Sequence, residues 1–131
     1  MPIEHFGIGV PDVEAAKEYY NELMPMVGYQ PCFGNGYCPN DWQGAQLFLY
    51  ETEQDRYSRH QPGFHHIAFL VQSRNDVHRV HDWVTARGDH VLHAPRPFPQ
   101  FGDHCYATYF LDPHGLKLEV VCHTPEEPAN A

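Results

Sequence analysis

Two short apolar runs, each opened by a histidine, stand at matched places in the chain: His5-Phe6-Gly7-Ile8-Gly9-Val10 and His66-Ile67-Ala68-Phe69-Leu70-Val71. Each is short, apolar and bounded by polar turn residues, which reads as a buried strand. A helical stretch follows each run. In the first half Pro11-Asp12 leads into Val13 to Leu23, with Asp12 placed to cap the helix. In the second, Ser73 to Asp76 leads into a helix that carries Val77, Val80 and Val84 on one face. Gly28 and Gly88 then stand where a helix stop is needed. Strand signals come next: Tyr29 to Phe33, a turn at Asn35-Gly36, Tyr37 to Trp42 and Ala45 to Glu51 in the first half. The second half offers His90 to His93, Tyr106 to Leu111, a turn at Asp112-Pro113-His114-Gly115, and Leu116 to Cys122.

The pattern predicts an α+β chain made of two βαβββ modules, residues 1–51 and 64–123, within a single domain spanning 1–131. Thr52 to Gly63 is polar and ends in Pro62-Gly63, which marks a linker, and the Pro/Glu-rich tail 124–131 is expected to fray. One stretch breaks the repeat. From Ala94 to Gly102, Pro95, Pro97 and Pro99 alternate with Arg96, Phe98 and Gln100. Alternating proline keeps a chain extended and withholds ladder donors, so this stretch is either a cover over a cavity mouth or a stiff edge loop.

Charge and composition narrow the function classes. The 131 residues carry 8 Lys+Arg against 17 Asp+Glu, a formal charge of −9. That balance argues against nucleic acid or an anionic membrane surface as a partner and leaves a small molecule as the expected one. No apolar run is long enough to span a membrane, and the first residues lack the basic and apolar regions of a signal peptide, so the expected location is cytoplasmic. Cys32, Cys38, Cys105 and Cys122 contain no C-x-x-C pair and are expected to stay reduced there.

Histidine is the outlier, at 11 of 131 residues scattered through the chain. His5 and His66 occupy equivalent repeat positions, and side-chain alternation lets equivalent strand positions face a shared axis. Glu119 lies in the otherwise apolar run Leu118-Glu119-Val120-Val121, where a carboxylate is costly unless paired or metal-bound. Taken singly, a histidine at a strand start or a glutamate in a strand is commonly structural. Together, two imidazoles and a carboxylate form a ligand set for a divalent metal, with Fe, Mn, Ni and Zn all compatible. His65, His93 and His104 are eligible by type as a base, and Arg96 is either a cation for an acidic group or a solvated loop residue.

Three segments carry a family resemblance: Glu4-His5-Phe6-Gly7-Ile8-Gly9-Val10-Pro11-Asp12, Phe64-His65-His66-Ile67-Ala68-Phe69, and Tyr109-Phe110-Leu111-Asp112-Pro113-His114-Gly115-Leu116-Lys117-Leu118-Glu119. From Ile3 to about His123 the chain resembles the vicinal oxygen chelate superfamily, which includes glyoxalase I, fosfomycin-resistance thiol transferases, bleomycin-resistance binders and extradiol dioxygenases. The resemblance implies strands curled into a half-barrel around a metal or ligand cavity, a homodimer, and His5, His66 and Glu119 as metal ligands. Glyoxalase I adds a fourth, carboxylate ligand in the first module. Aligning Gln46-Leu47-Phe48-Leu49-Tyr50 with Lys117-Leu118-Glu119-Val120-Val121 puts Phe48 there, and phenylalanine cannot ligate. Gln46 and Tyr50 share its face, whereas Glu51 points the other way and reads as solvated.

An open His/His/Glu site is similar to that of the extradiol dioxygenases, where a histidine and a tyrosine handle protons. His104, Tyr109 and Tyr106 are the candidates here, and strand alternation allows only one of the two tyrosines to point inward. The fosfomycin-resistance branch needs a cation-binding loop and a thiol pocket with no clear equivalent in this chain. The function implied is a divalent-metal-dependent lyase or dioxygenase. The alternative is a metal-free, bleomycin-resistance-type binder of a small molecule, and a purely structural metal is a third reading.

Overall fold

A computed structural model describes residues 3–53, 58 and 60–126. The βαβββ order occurs twice, as the sequence predicts: β1 (His5–Val10), α1 (Val13–Met26), β2 (Tyr29–Pro31), β3 (Gly36–Pro39) and β4 (Gln46–Glu51), then β5 (Ile67–Leu70), α2 (Arg74–Arg87), β6 (Val91–Pro97), β7 (Tyr106–Leu111) and β8 (Lys117–Cys122). The chain forms two compact units, Met1–Ser58 with Pro113–Gly115, and Arg59–Asp112 with Leu116–Ala131. Part of the expected linker (54–57 and 59) and most of the expected fraying tail (127–131) lie outside the described residues.

In the first unit the strands run in the order β1-β4-β3-β2. Here β1 and β4 are parallel, with His5 opposite Gln46, Gly7 opposite Phe48 and Gly9 opposite Tyr50. Alternation then turns Ile8, Val10, Leu47 and Leu49 to the buried side, where they join Val13, Ala16, Tyr19, Tyr20, Leu23 and Met24 of α1. Asp12 caps α1 as predicted, its carboxylate accepting from the Ala15 N–H at 3.2 Å. The glycine at position 7 has a packing reason, because the Tyr50 ring fills the space a Cβ would need. The run expected as strand from Tyr37 to Trp42 stops at Pro39, and Trp42 adopts φ 60° in an exposed turn.

The second unit has the order β5-β8-β7-β6. Pairing sets Tyr109 opposite Glu119 across antiparallel β7 and β8, and Ala68 opposite Glu119 across parallel β5 and β8. One face of this sheet carries Ile67, Phe69, Phe110, Leu118 and Val120, all buried along with Val77, Val80 and Val84 of α2. The other face carries Ala68, Tyr109, Lys117 and Glu119. Ser73 caps α2, accepting from the Asp76 N–H at 3.1 Å and donating to its carboxylate at 3.0 Å. Gly88 ends it with φ 80°, a left-handed stop that glycine adopts without steric penalty.

The proline-rich stretch divides into two parts. Val91–Pro97 is the edge strand β6, with register shifts between Val91 and His93 and between His93 and Arg96. An edge needs no ladder donor on its outer side, which is why Pro95 and Pro97 are tolerated. A 3-10 turn at Pro99–Phe101 follows and leaves Phe98 buried against Tyr109, with the rings 5.3 Å apart.

The cysteines depart from expectation. Cys105 and Cys122 are free and buried, but Cys32 and Cys38 form a disulfide with a Cα–Cα distance of 5.8 Å. The cause is the β2–β3 hairpin, which pairs Gln30 with Cys38 and binds the Cys32 N–H to the Gly36 carbonyl at 3.0 Å. That pairing brings the two side chains within bridging range. A thiol titration of the denatured, unreduced protein should find two free thiols, and four after reduction. Replacing Cys38 with serine should destabilise the fold by about 2 kcal/mol for so short a closed loop. Four thiols without reductant would show that the hairpin is held by its backbone ladder alone.

Candidate functional site

The face of the second sheet turned away from α2 gathers His66, Tyr109 and Glu119. Glu119 is 7% exposed within a run of buried apolar residues. A carboxylate so placed costs several kcal/mol unless satisfied, and two neighbours satisfy it. His66 Nε2 stands 3.2 Å from Glu119 Oε1, and the Tyr109 hydroxyl donates to the same carboxylate. The other ring nitrogen of His66 is held as well, with His65 Nδ1 2.8 Å from His66 Nδ1. A neighbour on the far nitrogen fixes the tilt of a ligating imidazole. Ala68 opposite Glu119 presents only a methyl group and is itself exposed.

These distances fit a metal. Two donors bound at about 2.1 Å to one divalent ion stand about 3.0–3.4 Å apart at octahedral or tetrahedral angles. The His66–Glu119 separation of 3.2 Å falls in that interval. The same pair is also a complete hydrogen-bonded contact on its own, and among the described residues no group of three or more His, Cys, Asp or Glu side chains is gathered to hold a metal.

Tyr109 is the inward tyrosine. Burial first, then the charge of Glu119 and the hydrogen bond to it, push its hydroxyl up to about 12 from the usual 10.0, against a lowering influence from Arg96. At neutral pH it is therefore a protonated donor. Its ring is walled by Phe98, by His93 edge-on at 5.6 Å and by Lys117, whose Nζ lies 4.9 Å from the ring centroid. Burial, Glu119 and Cys122 raise the nearby Cys105 thiol too, which makes it a poor nucleophile.

The remaining sequence candidates fall elsewhere. Tyr106 belongs to the opposite, helix-facing side, where its hydroxyl lies 2.8 Å from His78 Nε2 and the Arg74 guanidinium covers its ring at 4.4 Å. This is the consequence of strand alternation: Tyr106 pairs with Cys122, three positions along from the Tyr109–Glu119 pair. His104 is exposed in the turn before β7. His5 belongs to the first unit, at the start of β1, where its Nδ1 is 2.8 Å from Glu4 Oε1 and its ring meets Phe48 edge-on at 5.7 Å. Glu51, expected to be simply solvated, accepts at 3.4 Å from the Val13 N–H at the start of α1. An open groove of about 500 Å³ in this unit, lined by Val13, Glu14, Asn35 and Phe48 to Glu51, contains none of the candidate ligands.

Two contributors take roles that the sequence does not announce. His65, eligible there as a base, instead holds the ring of His66. Phe98 looks like loop filler, although an aromatic among prolines at a sheet edge is a legible sign of a plug.

The raised tyrosines set an alkaline limit to stability. Tyr37 is also pushed up to about 12, by burial. Below about pH 10 both phenols are protonated whether the chain is folded or not. Between about 10 and 12 the unfolded chain ionises first, so folding stability falls as pH rises through this window. Unfolding of metal-free Tyr109→Phe protein in denaturant should show a shallower decline across that window than the parent. An equal decline would mean that Tyr109 ionises as freely folded as unfolded.

No described helix is long and apolar enough to cross a membrane. The uncharacterized protein YqjT of Bacillus subtilis (strain 168) is 27% identical over 126 residues, covering 91% of this chain and 97% of its own. Two solved structures share the fold at lower identity. A glyoxylase/bleomycin resistance protein/dioxygenase domain from Frankia sp. EAN1pec superimposes with a TM-score of 0.75 at 17% identity, over 92% of this chain and 90% of its own. Lactoylglutathione lyase from Agrobacterium tumefaciens gives 0.59 at 21% identity, over 92% of each chain. The Glyoxalase/Bleomycin resistance protein/Dioxygenase superfamily model matches residues 2–120, so this chain belongs to that superfamily.

Proposed function

We propose that this chain is a divalent-metal-dependent enzyme acting on a small, oxygen-rich molecule, with His66 and Glu119 as two of the metal ligands. The observation that supports the reading best is the 3.2 Å approach of His66 Nε2 to Glu119 Oε1 on an accessible face, with the far nitrogen of His66 held by His65. Repeat symmetry nominates His5 as the third ligand. Phe48 stands at the place of a fourth, which favours a site with open coordination positions for substrate. Iron, manganese, nickel and zinc all suit the donor set. We take the working state to be a cytoplasmic homodimer, as the family resemblance suggests.

When bound, the metal would supply Lewis-acid stabilisation of charge developing on a substrate oxygen. The chain's own residues do the rest. His65 fixes the His66 ring, Glu119 contributes negative charge, and the Tyr109 hydroxyl holds a proton beside that carboxylate where it can be donated to a substrate oxygen. Phe98 covers Tyr109 on one side and limits the access of water.

A metal-free binding protein is the second reading, and one observation favours it. His66, Glu119 and Tyr109 satisfy one another without a metal, and no third donor joins them among the described residues.

Elemental analysis of tag-free protein prepared without chelator separates the two. The metal reading expects near-stoichiometric Fe, Mn, Ni or Zn in the parent and loss of it in His66→Ala and Glu119→Gln. It expects affinity lower by about 10–100-fold in His65→Ala, the effect of losing a group that orients a ligand. Metal absent from the parent and not taken up on reconstitution would leave the binding-protein reading standing.

A further inference from the structure

The cations of the second unit are not distributed as its acidic surroundings would dictate. Of the arginines and lysines described there, Arg74 pairs with Glu126 at 3.7 Å, Arg79 with Asp76 at 3.3 Å and Arg87 with Asp89 at 2.7 Å. Arg96 and Lys117 have no carboxylate within ion-pair distance among the described residues. In this unit three of the five described cations are held by carboxylates and two are not. The two without a carboxylate partner lie on one face of one sheet.

Register places them. Lys117 pairs with Leu111 and Arg96 pairs with Ala107, so the two cations bracket Tyr109 on its own face, each two positions away along β7. Two residues of strand span about 6.6 Å, so the two backbone positions lie about 13 Å apart along the strand. Each head group is seated on an aromatic wall. The Lys117 ammonium lies 4.9 Å from the Tyr109 ring centroid, and the Arg96 guanidinium carbon 4.3 Å from that of Phe98. Seating on a ring fixes a cation's position and leaves its N–H donors free to meet an oxyanion.

We infer that Arg96 and Lys117 form an oxyanion-binding subsite, and that the small molecule taken at this face carries a carboxylate or phosphate group in addition to any oxygens offered to a metal. The inference rests on the proposed function for the choice of face and for calling the molecule a substrate; the anion contacts themselves need no metal. Arginine offers a planar fork that matches either anion in two-point fashion, and lysine adds a point charge at the other end.

Binding of inorganic phosphate and of malonate to chelator-treated protein, followed by amide chemical shifts, tests the subsite without the metal. Parent protein should show saturable shifts in β6, β7 and β8 with at least one of the two probes, and the stronger probe identifies phosphate or carboxylate as the anion. Arg96→Gln or Lys117→Gln should weaken binding roughly tenfold, about 1.4 kcal/mol, and the double variant should abolish it. Arg79→Gln, which removes a paired surface arginine, should bind as the parent does. Circular dichroism of each variant confirms that the fold is intact.

Equal binding by parent and double variant, or no saturable shift with either probe, would overturn the inference. Its failure is distinguishable from that of the metal reading. Metal uptake with no anion selectivity sinks the subsite alone, whereas anion binding lost in the double variant, in a protein that takes up no metal, sinks the metal alone.

Discussion

The register that sets Tyr109 opposite Glu119 across β7 and β8 governs the site. A carboxylate in an apolar strand is tolerable only if something nearby satisfies its charge, and a directly opposed residue is the nearest group an antiparallel ladder can supply. Tyr109 does so with its hydroxyl, and the pairing adds to the burial that chiefly raises its pKa. The same parity decides everything else on the face. It places Ala68 beside the carboxylate, sends Tyr106 to the helix side with His78, and brings Lys117 and Arg96 around Tyr109. A slip of one residue between β7 and β8 would exchange Glu119 for Leu118 on this face and bury a charge under α2.

Much of this was legible in the sequence because it depends on periods of two and 3.6. The two histidine-led strands, the Asp12 cap, the valine stripe of α2 and the glycine stops all follow from local pattern. Glu119 was legible for the opposite reason, as a residue that breaks its strand's pattern. What escaped depended on contacts distant in sequence or on hairpin geometry. The Cys32–Cys38 bridge needs the β2–β3 register, which the hairpin turn alone does not fix. Strand alternation showed that Tyr106 and Tyr109 must oppose one another, but not which faces the helix. That choice is made by the β5–β8 pairing, which sets Val120 beside Phe69 and so fixes the buried side.

The proline-rich segment is an edge strand that also places an aromatic against Tyr109. As an edge strand it needs no outward donors, and the bulges on either side of His93 let it bend. The 3-10 turn after it leaves Phe98 buried against the ring of Tyr109. A flexible loop could bring an aromatic to the same place, but only by losing more conformational entropy on ordering. Proline reduces that loss in advance, since its φ is already fixed in the unfolded chain. The rigidity that ends the sheet therefore also steadies the wall of the site.

The two modules share a backbone plan and differ in what they place at one position. In the first, Gly7 opposes Phe48 across the parallel pair; in the second, Ala68 opposes Glu119. Both pairs set a minimal side chain against a large or charged one, but the surroundings of the larger residue differ. In the first module the Tyr50 ring takes the space over Gly7, while Phe48 lies over Gly36 and packs with Phe33 at 5.4 Å and with the edge of His5, an apolar cluster beside a disulfide-closed hairpin. In the second module Glu119 meets an imidazole and a phenol. A duplicated fold needs stability from both copies but chemistry from only one such position. Filling the other with phenylalanine removes a second buried charge that would have to be neutralised, and it leaves the repeat's symmetry intact in the backbone alone.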